Sequence, residues 1–339
     1  MNGHIGVLGA GSWGTTLANL LAKKGEDVVL WAYEGEVAEA INRERRNLLY
    51  LPQIQLAPTL RATADIVEAT HGARGVVSVS PSHVVRRVLG DAVPFLRQDA
   101  WVVSASKGIE TDTLATLDQV LAEVLPPPVA ARAAFLSGPS FALEVAQEHP
   151  TAVTLAARDA SLARQLQGLF QTPYFRVYTH HDVRGVELGG ALKNVIAIAA
   201  GVADGLGFGH NTRAALITRG LAEIARLGVA MGAEASTFAG LAGLGDLVVT
   251  CTGPLSRNRA VGVELGRGRP LEDILRGMIM VAEGVRTAQA AHALARRHGV
   301  EMPITAEVYA ILFEGRSPRA AVESLMLREP KAERWGGST

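Results

Sequence analysis

The chain has 339 residues, 48% of them hydrophobic and 19% charged, which is enough for two ordinary domains with a large core and excludes a disordered segment. Its 33 Lys plus Arg balance 33 Asp plus Glu to a net charge of +0, so no general electrostatic pull toward nucleic acid or a membrane surface exists. The single cysteine, Cys251, rules out an intramolecular disulfide and a cysteine-rich metal site, and fits a reducing cytoplasm.

The first half alternates short apolar runs with amphipathic stretches. "HIGVLGA" (4–10), "DVVLWA" (27–32), "GVVSVS" (75–80), "AWVVSAS" (100–106) and "AAFLSG" (133–138) are near-continuous apolar runs bounded by turn residues. Such runs suit parallel strands buried on both faces. Helical patterns over 12–24, 34–46 and 82–90 lie between them, so the alternation predicts a doubly wound α/β sheet. "TAVTLAA" (151–157) and "FRVYTH" (175–180) read as further strands at the far edge. Near residue 182 the texture changes to helix with a period near 3.6, including 211–231, 284–298 and 317–327. The predicted organisation is therefore α/β: a Rossmann-like doubly wound domain over 1–182, an all-α substrate domain over 183–328, and a fraying polar tail over 329–339. No basic leader with a cleavage site precedes the first strand, and Lys193, Asp204 and Arg219 interrupt the most apolar segments, so neither a signal peptide nor a membrane span is expected.

"GVLGAGSWG" carries Gly9-x-Gly11-x-x-Gly14 between the first strand and the first helix. In that context Gly9 allows the tight turn, Gly11 lets backbone approach a pyrophosphate, and Gly14 lets helix and strand pack closely. The helix N-terminus then favours the phosphates. Alone, the pattern is only a glycine-rich turn. Here a second strand follows, and Glu34, twenty residues past Gly14, could accept from a ribose 2′-OH, which favours NAD. Arg43, Arg45 and Arg46 lie just beyond; one could meet a 2′-phosphate, although most of the three suit a solvated helix face.

Lys193 poses a different question. The chain has only five lysines (23, 24, 107, 193 and 331), and this one interrupts "ALKNVIAIAAG", a run that otherwise reads as helix core. Arginine cannot lose its proton, whereas a lysine whose pKa is lowered by burial can give and take one near neutral pH. The bland alternative is a lysine snorkelling at a domain edge. Further on, "GLAGLGDLVVTCTGPLSRNRAVG" (240–262) places Asp246 after a Gly-Leu-Gly turn, and Ser256, Arg257 and Asn258 near a helix start. A hydroxyl, a guanidinium and an amide together make a phosphate cradle; the plainer reading is an N-cap beside a surface arginine. Cys251 reads as a core residue. His180 and His181 lack enough companions for a metal site, so no metal is expected.

"GAGSWGTTLA", "SASKGIE", "LSGPSFALEV", "ELGGALKNVIAIAAG", "GLAGLGDLVVTCTGPLSRNRAVG" and "VAEGVRTA", in that order over nearly the whole chain, resemble bacterial NAD(P)-dependent glycerol-3-phosphate dehydrogenase. The resemblance implies reversible reduction of dihydroxyacetone phosphate to sn-glycerol 3-phosphate with NAD(P)H, for phospholipid synthesis. It implies Lys193 as proton donor and acceptor, and Lys107, Gly138, Ser140, Asp246, Ser256, Arg257 and Asn258 as substrate contacts. Ser12, Trp13, Ala142, Val281 and Glu283 would contact the dinucleotide, as would Lys107 and Arg257. Tyr33 stands where relatives often carry histidine, which leaves the adenosine-side contact and the choice between NADH and NADPH open, and Tyr50 of "LLYLP" falls where the family is often aromatic and is carried over as a cofactor contact. Use of both NADH and NADPH is expected. A small phosphorylated substrate is the expected partner, with no nucleic acid and no stable membrane insertion; the assembly stays open, a homodimer being one option. Two other readings remain at this point: another two-domain hydroxyacid or opine dehydrogenase, and a non-catalytic NAD(P)H sensor.

Overall fold

The computed structural model describes residues 3–278, 280–330 and 332–333; of the predicted tail, 331 and 334–339 lie outside the described residues. The chain divides into two compact units. Unit 1 comprises Met1–Ser106 and Leu117–Val183, and unit 2 comprises Lys107–Thr116 and Arg184–Thr339. The division is thus not purely sequential: ten residues from the middle of the first half belong with the helical unit, where Ile109 is buried in its core.

Unit 1 is built on one eight-stranded sheet: β1 Ile5–Leu8, β2 Val28–Trp31, β3 Arg61–Thr63, β4 Gly75–Ser78, β5 Trp101–Ser104, β6 Ala133–Ser137, β7 Thr151–Ala157 and β8 Phe175–His180. Their order is β3-β2-β1-β4-β5-β6-β7-β8. β1 pairs in parallel with both β2 (Ile5 opposite Val28) and β4 (Ile5 opposite Gly75), so the order reverses at β1, where doubly wound sheets bind their ligands. All residues of β1, β4 and β5 are buried, which explains their unbroken apolar sequences. Two features differ from the expectation. β3, only three residues long and led by an exposed arginine, carries no apolar run and escapes a hydrophobicity reading. β6 and β7 pair antiparallel, because a short helix and loop rather than a full crossover join them.

The helices of unit 1 are α1 Ser12–Lys23, α2 Gly35–Glu44, α3 Ile66–Thr70, α4 Val85–Ala92, α5 Leu117–Val124, α6 Pro127–Ala130, α7 Ala142–Ala146 and α8 Ala160–Phe170. Leu17 and Leu21 of α1, Ile41 of α2 and Leu166 of α8 bury their side chains with Val7, Leu30 and Val103 of the sheet. Each full burial of this kind stabilises by about 1.5–3 kcal/mol.

Unit 2 contains α9 Val183–Gly205, α10 His210–Ala230, α11 Asp246–Thr252, α12 Arg257–Gly266, α13 Leu271–Arg276, α14 Glu283–His298, α15 Pro303–Phe313 and α16 Pro318–Met326. α9 is its axis. Among the described residues it is the one helix long and apolar enough to cross a membrane, yet 94% of its most apolar window is buried inside the protein. Its packing is unusually close against α12: a Cβ at Gly201 would stand 2.1 Å from the Arg259 carbonyl oxygen, and one at Gly262 2.1 Å from that of Ile198. Only glycine permits this backbone approach. The result brings the start of α12 beside the middle of α9, where Lys193 sits.

Candidate active site

In unit 1 the glycine loop has the conformation its sequence requires. Gly9 adopts φ +118, and a Cβ there would meet the backbone of Val79 and Ser80 at 3.1 Å. A Cβ at Gly14 would lie 1.8 Å from the Gly9 carbonyl oxygen, so α1 can begin against β1 only with glycine there. Gly11 is the N-cap and supplies no side-chain acceptor, so the N–H groups of the first turn and the positive end of the helix dipole face an incoming anion. These features fit a dinucleotide pyrophosphate.

A strap over 47–50 reinforces the loop. The buried Asn47 amide donates to the Ala10 carbonyl at 2.7 Å and to the Thr15 hydroxyl at 2.8 Å, and its oxygen accepts from the Tyr50 N–H at 3.0 Å. The Ser12 hydroxyl donates to the Tyr50 carbonyl at 2.7 Å, and the Tyr50 hydroxyl donates to the Glu34 carboxylate at 3.0 Å. Ser12, Glu34 and Tyr50 therefore gather at one place, next to Tyr33, which is 71% exposed and sits edge-on to Trp31. Trp13 turns its ring toward Phe175 and packs on the core. Ala142 opens α7, its carbonyl accepting from Thr16 of α1 at 3.1 Å. Gly138 adopts φ +135 with its Cβ position 3.0 Å from the Val153 Cα, and the Ser140 hydroxyl donates to the Gly138 carbonyl. Asn47 was not foreseen. Its signal is faint, an asparagine in a charged stretch, because the contacts that matter are long-range backbone groups.

The three arginines beyond Glu34 are engaged elsewhere: Arg43 pairs with Glu44 at 2.7 Å, Arg45 donates to the Leu60 carbonyl at 2.9 Å, and Arg46 donates to Gln55 at 3.2 Å.

In unit 2 the centre is a triad of charges, of which Lys193 and Asp246 are buried and Lys107 is part-buried. Lys193 is an ion-pair partner of Asp246 and donates to the Thr250 hydroxyl at 2.8 Å; Lys107 meets the other oxygen of Asp246 at 2.7 Å. The Asp246 side chain is 1% exposed and that of Lys193 8%. Asp246 follows a π-helical turn, Leu241–Gly245, rather than the simple glycine turn the sequence suggests, and that turn runs straight into α11. Such wide turns recur at functional sites. Thr250, one helical turn beyond Asp246, donates to the Asp246 carbonyl at 2.6 Å while accepting from Lys193. It went unremarked in the sequence, although a hydroxyl four residues after a buried carboxylate on one helix was the available cue.

Burial pushes the Lys193 pKa down to about 7; the Asp246 carboxylate opposes this fall and the Lys107 ammonium assists it. Both protonation states are accessible near neutral pH. The neighbouring Cys251 thiol is pushed up to about 12 by burial and stays neutral.

The "SRN" segment divides its tasks. The Ser256 hydroxyl caps α12 by accepting from the Arg259 N–H at 3.2 Å. The Asn258 amide donates to Asn194 at 2.9 Å and its oxygen accepts from the Gly284 N–H at 2.9 Å, tying the heads of α12 and α14 to the residue after the lysine. Arg257 is exposed at the head of α12, yet the protein around it is dense enough to lower its pKa, against the opposing charge of Glu283. Glu283 is the first residue of α14, and Val281, 39% exposed, lies just before it. His180 and His181 stack at 5.1 Å, and the His180 ring accepts from the Asp182 N–H. Among the described residues no group of three or more metal-ligating side chains occurs.

Comparisons with known proteins agree with this architecture. Residues 4–163 match the family model for the NAD-dependent glycerol-3-phosphate dehydrogenase N-terminus, and residues 182–323 that for its C-terminus. A glycerol-3-phosphate dehydrogenase [NAD(P)+] of Geobacter sulfurreducens is 62% identical over 335 residues, 99% of this chain and 100% of the relative. The crystal structure of glycerol-3-phosphate dehydrogenase from Coxiella burnetii superposes with a TM-score of 0.91 at 40% identity, covering 96% of this chain and 99% of that one. A ketopantoate reductase from Ralstonia eutropha, 16% identical with a TM-score of 0.59, shares the fold alone. With both halves matched and a relative this similar over its full length, the chain belongs to the NAD-dependent glycerol-3-phosphate dehydrogenase family.

Proposed function

We propose that this chain catalyses the reversible NAD(P)H-dependent reduction of dihydroxyacetone phosphate to sn-glycerol 3-phosphate, in the cytoplasm, for phospholipid synthesis. In this reading 1–182 supply the dinucleotide domain, except that 107–116 join the substrate domain of 183–328, and 329–339 form a polar tail. The observation that carries it is the Lys193–Asp246–Lys107 cluster, in which burial pushes the Lys193 pKa down to about 7.

When bound, the nicotinamide supplies a hydride to the ketone carbon. The carbonyl oxygen then takes the electron pair of the C=O bond as an alkoxide, and the Lys193 ammonium gives it a proton. In the reverse direction neutral Lys193 removes the hydroxyl proton. A group with pKa near the working pH serves both directions. Asp246 and Thr250 fix the lysine nitrogen, and Asp246 keeps part of the population protonated. Lys107, Arg257 and, when protonated, Lys193 present positive charge that suits a phosphate dianion. Gly138, Ser140, Ser256 and Asn258 complete the proposed substrate set. Gly9, Gly11, Ser12, Trp13, Gly14, Tyr33, Glu34, Tyr50, Lys107, Ala142, Arg257, Val281 and Glu283 form the proposed cofactor set.

The test is a steady-state assay following nicotinamide absorbance. Oxidation of NADH or NADPH is expected with dihydroxyacetone phosphate and not with unphosphorylated dihydroxyacetone. Absence of turnover on the phosphorylated ketone with either cofactor would overturn the assignment.

A further inference from the structure

We propose that Tyr50 is a positioning residue for Glu34, and that the pair sets cofactor choice in favour of NADH over NADPH. The inference deepens the functional reading above and rests on it, since it presumes that the glycine loop of unit 1 holds a nicotinamide dinucleotide.

Glu34 follows β2 by three residues, at the carboxyl end of the strand, where doubly wound folds meet the adenosine ribose. On an exposed loop a glutamate would sample many rotamers. Here the Tyr50 hydroxyl, 3.0 Å away, holds one carboxylate oxygen and leaves the other to accept from a ribose hydroxyl. Tyr50 is itself fixed at both backbone groups: its N–H donates to Asn47 and its carbonyl accepts from Ser12. Asn47, wholly buried, is bound in turn to Ala10 inside the glycine loop. The carboxylate is therefore positioned relative to the phosphate-binding turn through three linked side chains. Burial, and then the hydrogen bond to Glu34 and its charge, raise the Tyr50 pKa, which keeps the phenol a neutral donor.

The arrangement accommodates two ribose hydroxyls and resists a 2′-phosphate, which would set a second negative group beside Glu34. The cations that could compensate have other partners. Arg45, in a left-handed conformation (φ 55) at the end of α2, sends its guanidinium to the Leu60 carbonyl, and Arg46 turns to Gln55. Arg43 pairs with Glu44 in an exposed bridge, which is weak, so it is the cation most easily recruited to a phosphate. Its recruitment would still leave Glu34 in place.

The experiment measures Kd for NADH and NADPH by fluorescence on the purified chain without substrate, and kcat/KM for both with dihydroxyacetone phosphate. The wild type should favour NADH by about tenfold or more, equivalent to about 1.4 kcal/mol. Tyr50→Phe keeps the ring and releases the carboxylate; it should lower the NADH:NADPH ratio ~3–10-fold by weakening NADH. Glu34→Gln keeps an acceptor for Tyr50 and removes the charge; it should tighten NADPH ~10-fold. A wild type that prefers NADPH, or a Tyr50→Phe ratio within about twofold of wild type, would overturn the proposal. Should Tyr50→Phe not fold, an unchanged NADPH Kd in Glu34→Gln overturns it alone. Failure of the dehydrogenase reading would show separately, as absent turnover while the two Kd values still report the discrimination.

Discussion

The two sites are made of different materials. In unit 1 the candidate anion site is backbone: a turn, a helix head and glycines that let strands and helices approach. In unit 2 the site is side-chain charge drawn out of water, two ammonium groups on one carboxylate, and the same unit buries a second carboxylate, Glu223 of α10. A backbone site carries fixed partial charges and does not titrate. A charge site near its own pKa does. Binding of cofactor should therefore be almost flat between pH 6 and 8, about the range over which turnover should vary strongly.

The largest expected break in this contrast is Lys193→Arg. The variant should fold and bind NADH normally, yet lose about 10²–10⁴-fold in kcat, because a guanidinium keeps the charge and cannot release the proton. Single-turnover kinetics would show whether chemistry is the slowed step; near-normal kcat would reduce Lys193 to an electrostatic anchor. Next comes Glu223, whose carboxylate accepts from the Ile304 and Thr305 N–H groups and the Thr305 hydroxyl. Burial pushes its pKa up to about 7, from an ordinary value of 4.5. The folded state holds this proton more tightly than the unfolded chain, so the stability it confers is complete below about 4.5 and is lost as pH rises through about 7. Chemical denaturation from pH 5 to 8 should record on the order of 3 kcal/mol of this loss, and Glu223→Gln should flatten it. If wild type and variant share one pH profile, Glu223 titrates in its ordinary range.

A smaller effect attends Arg257→Ala. Loss of a charge-assisted contact should raise KM for dihydroxyacetone phosphate ~10–100-fold, with a smaller weakening of cofactor Kd. An unaltered KM would leave the arginine as surface decoration beside the Ser256 cap. The smallest is a shift rather than a loss. Asp246 opposes the lowering of the Lys193 pKa, so in Asp246→Asn the rise of glycerol 3-phosphate oxidation with pH should move to lower pH by about one unit or more. A shift to higher pH would contradict the assigned order of causes.

The same contrast governs how much could be read from the sequence. The glycine loop was legible because its requirements are local: Gly9, Gly11 and Gly14 lie within six residues and act through their own backbone. The apolar strands were legible for the same reason, and β3 was not, since three residues ending in Ala-Thr hold no periodicity. Lys193 was legible through rarity. Among the described lysines, two meet Asp246, and Lys24 donates to three carbonyls at the end of α8, a task for a compact ammonium with three donors. Thr250, Asn194 and Asn47 were silent because their roles depend on which residues 32 to 64 positions away the fold brings to them. The resemblance in turn located Ser256 and Asn258 without showing that one caps a helix and the other bolts three helices together.

The segment Lys107–Thr116 departs from unit 1 after Ser106 and returns to it at Leu117, lending unit 2 an ammonium group and the side chain of Ile109. Gene order and structural membership therefore disagree at this point. A fragment starting at residue 184 would express a helical unit with a notch in its interior and Asp246 facing a single lysine. No single cut in the chain yields both units whole. The protein thus resists modular exchange: a chimaera joining this helical half to another nucleotide-binding half would inherit the foreign version of 107–116, and with it a foreign partner for Asp246.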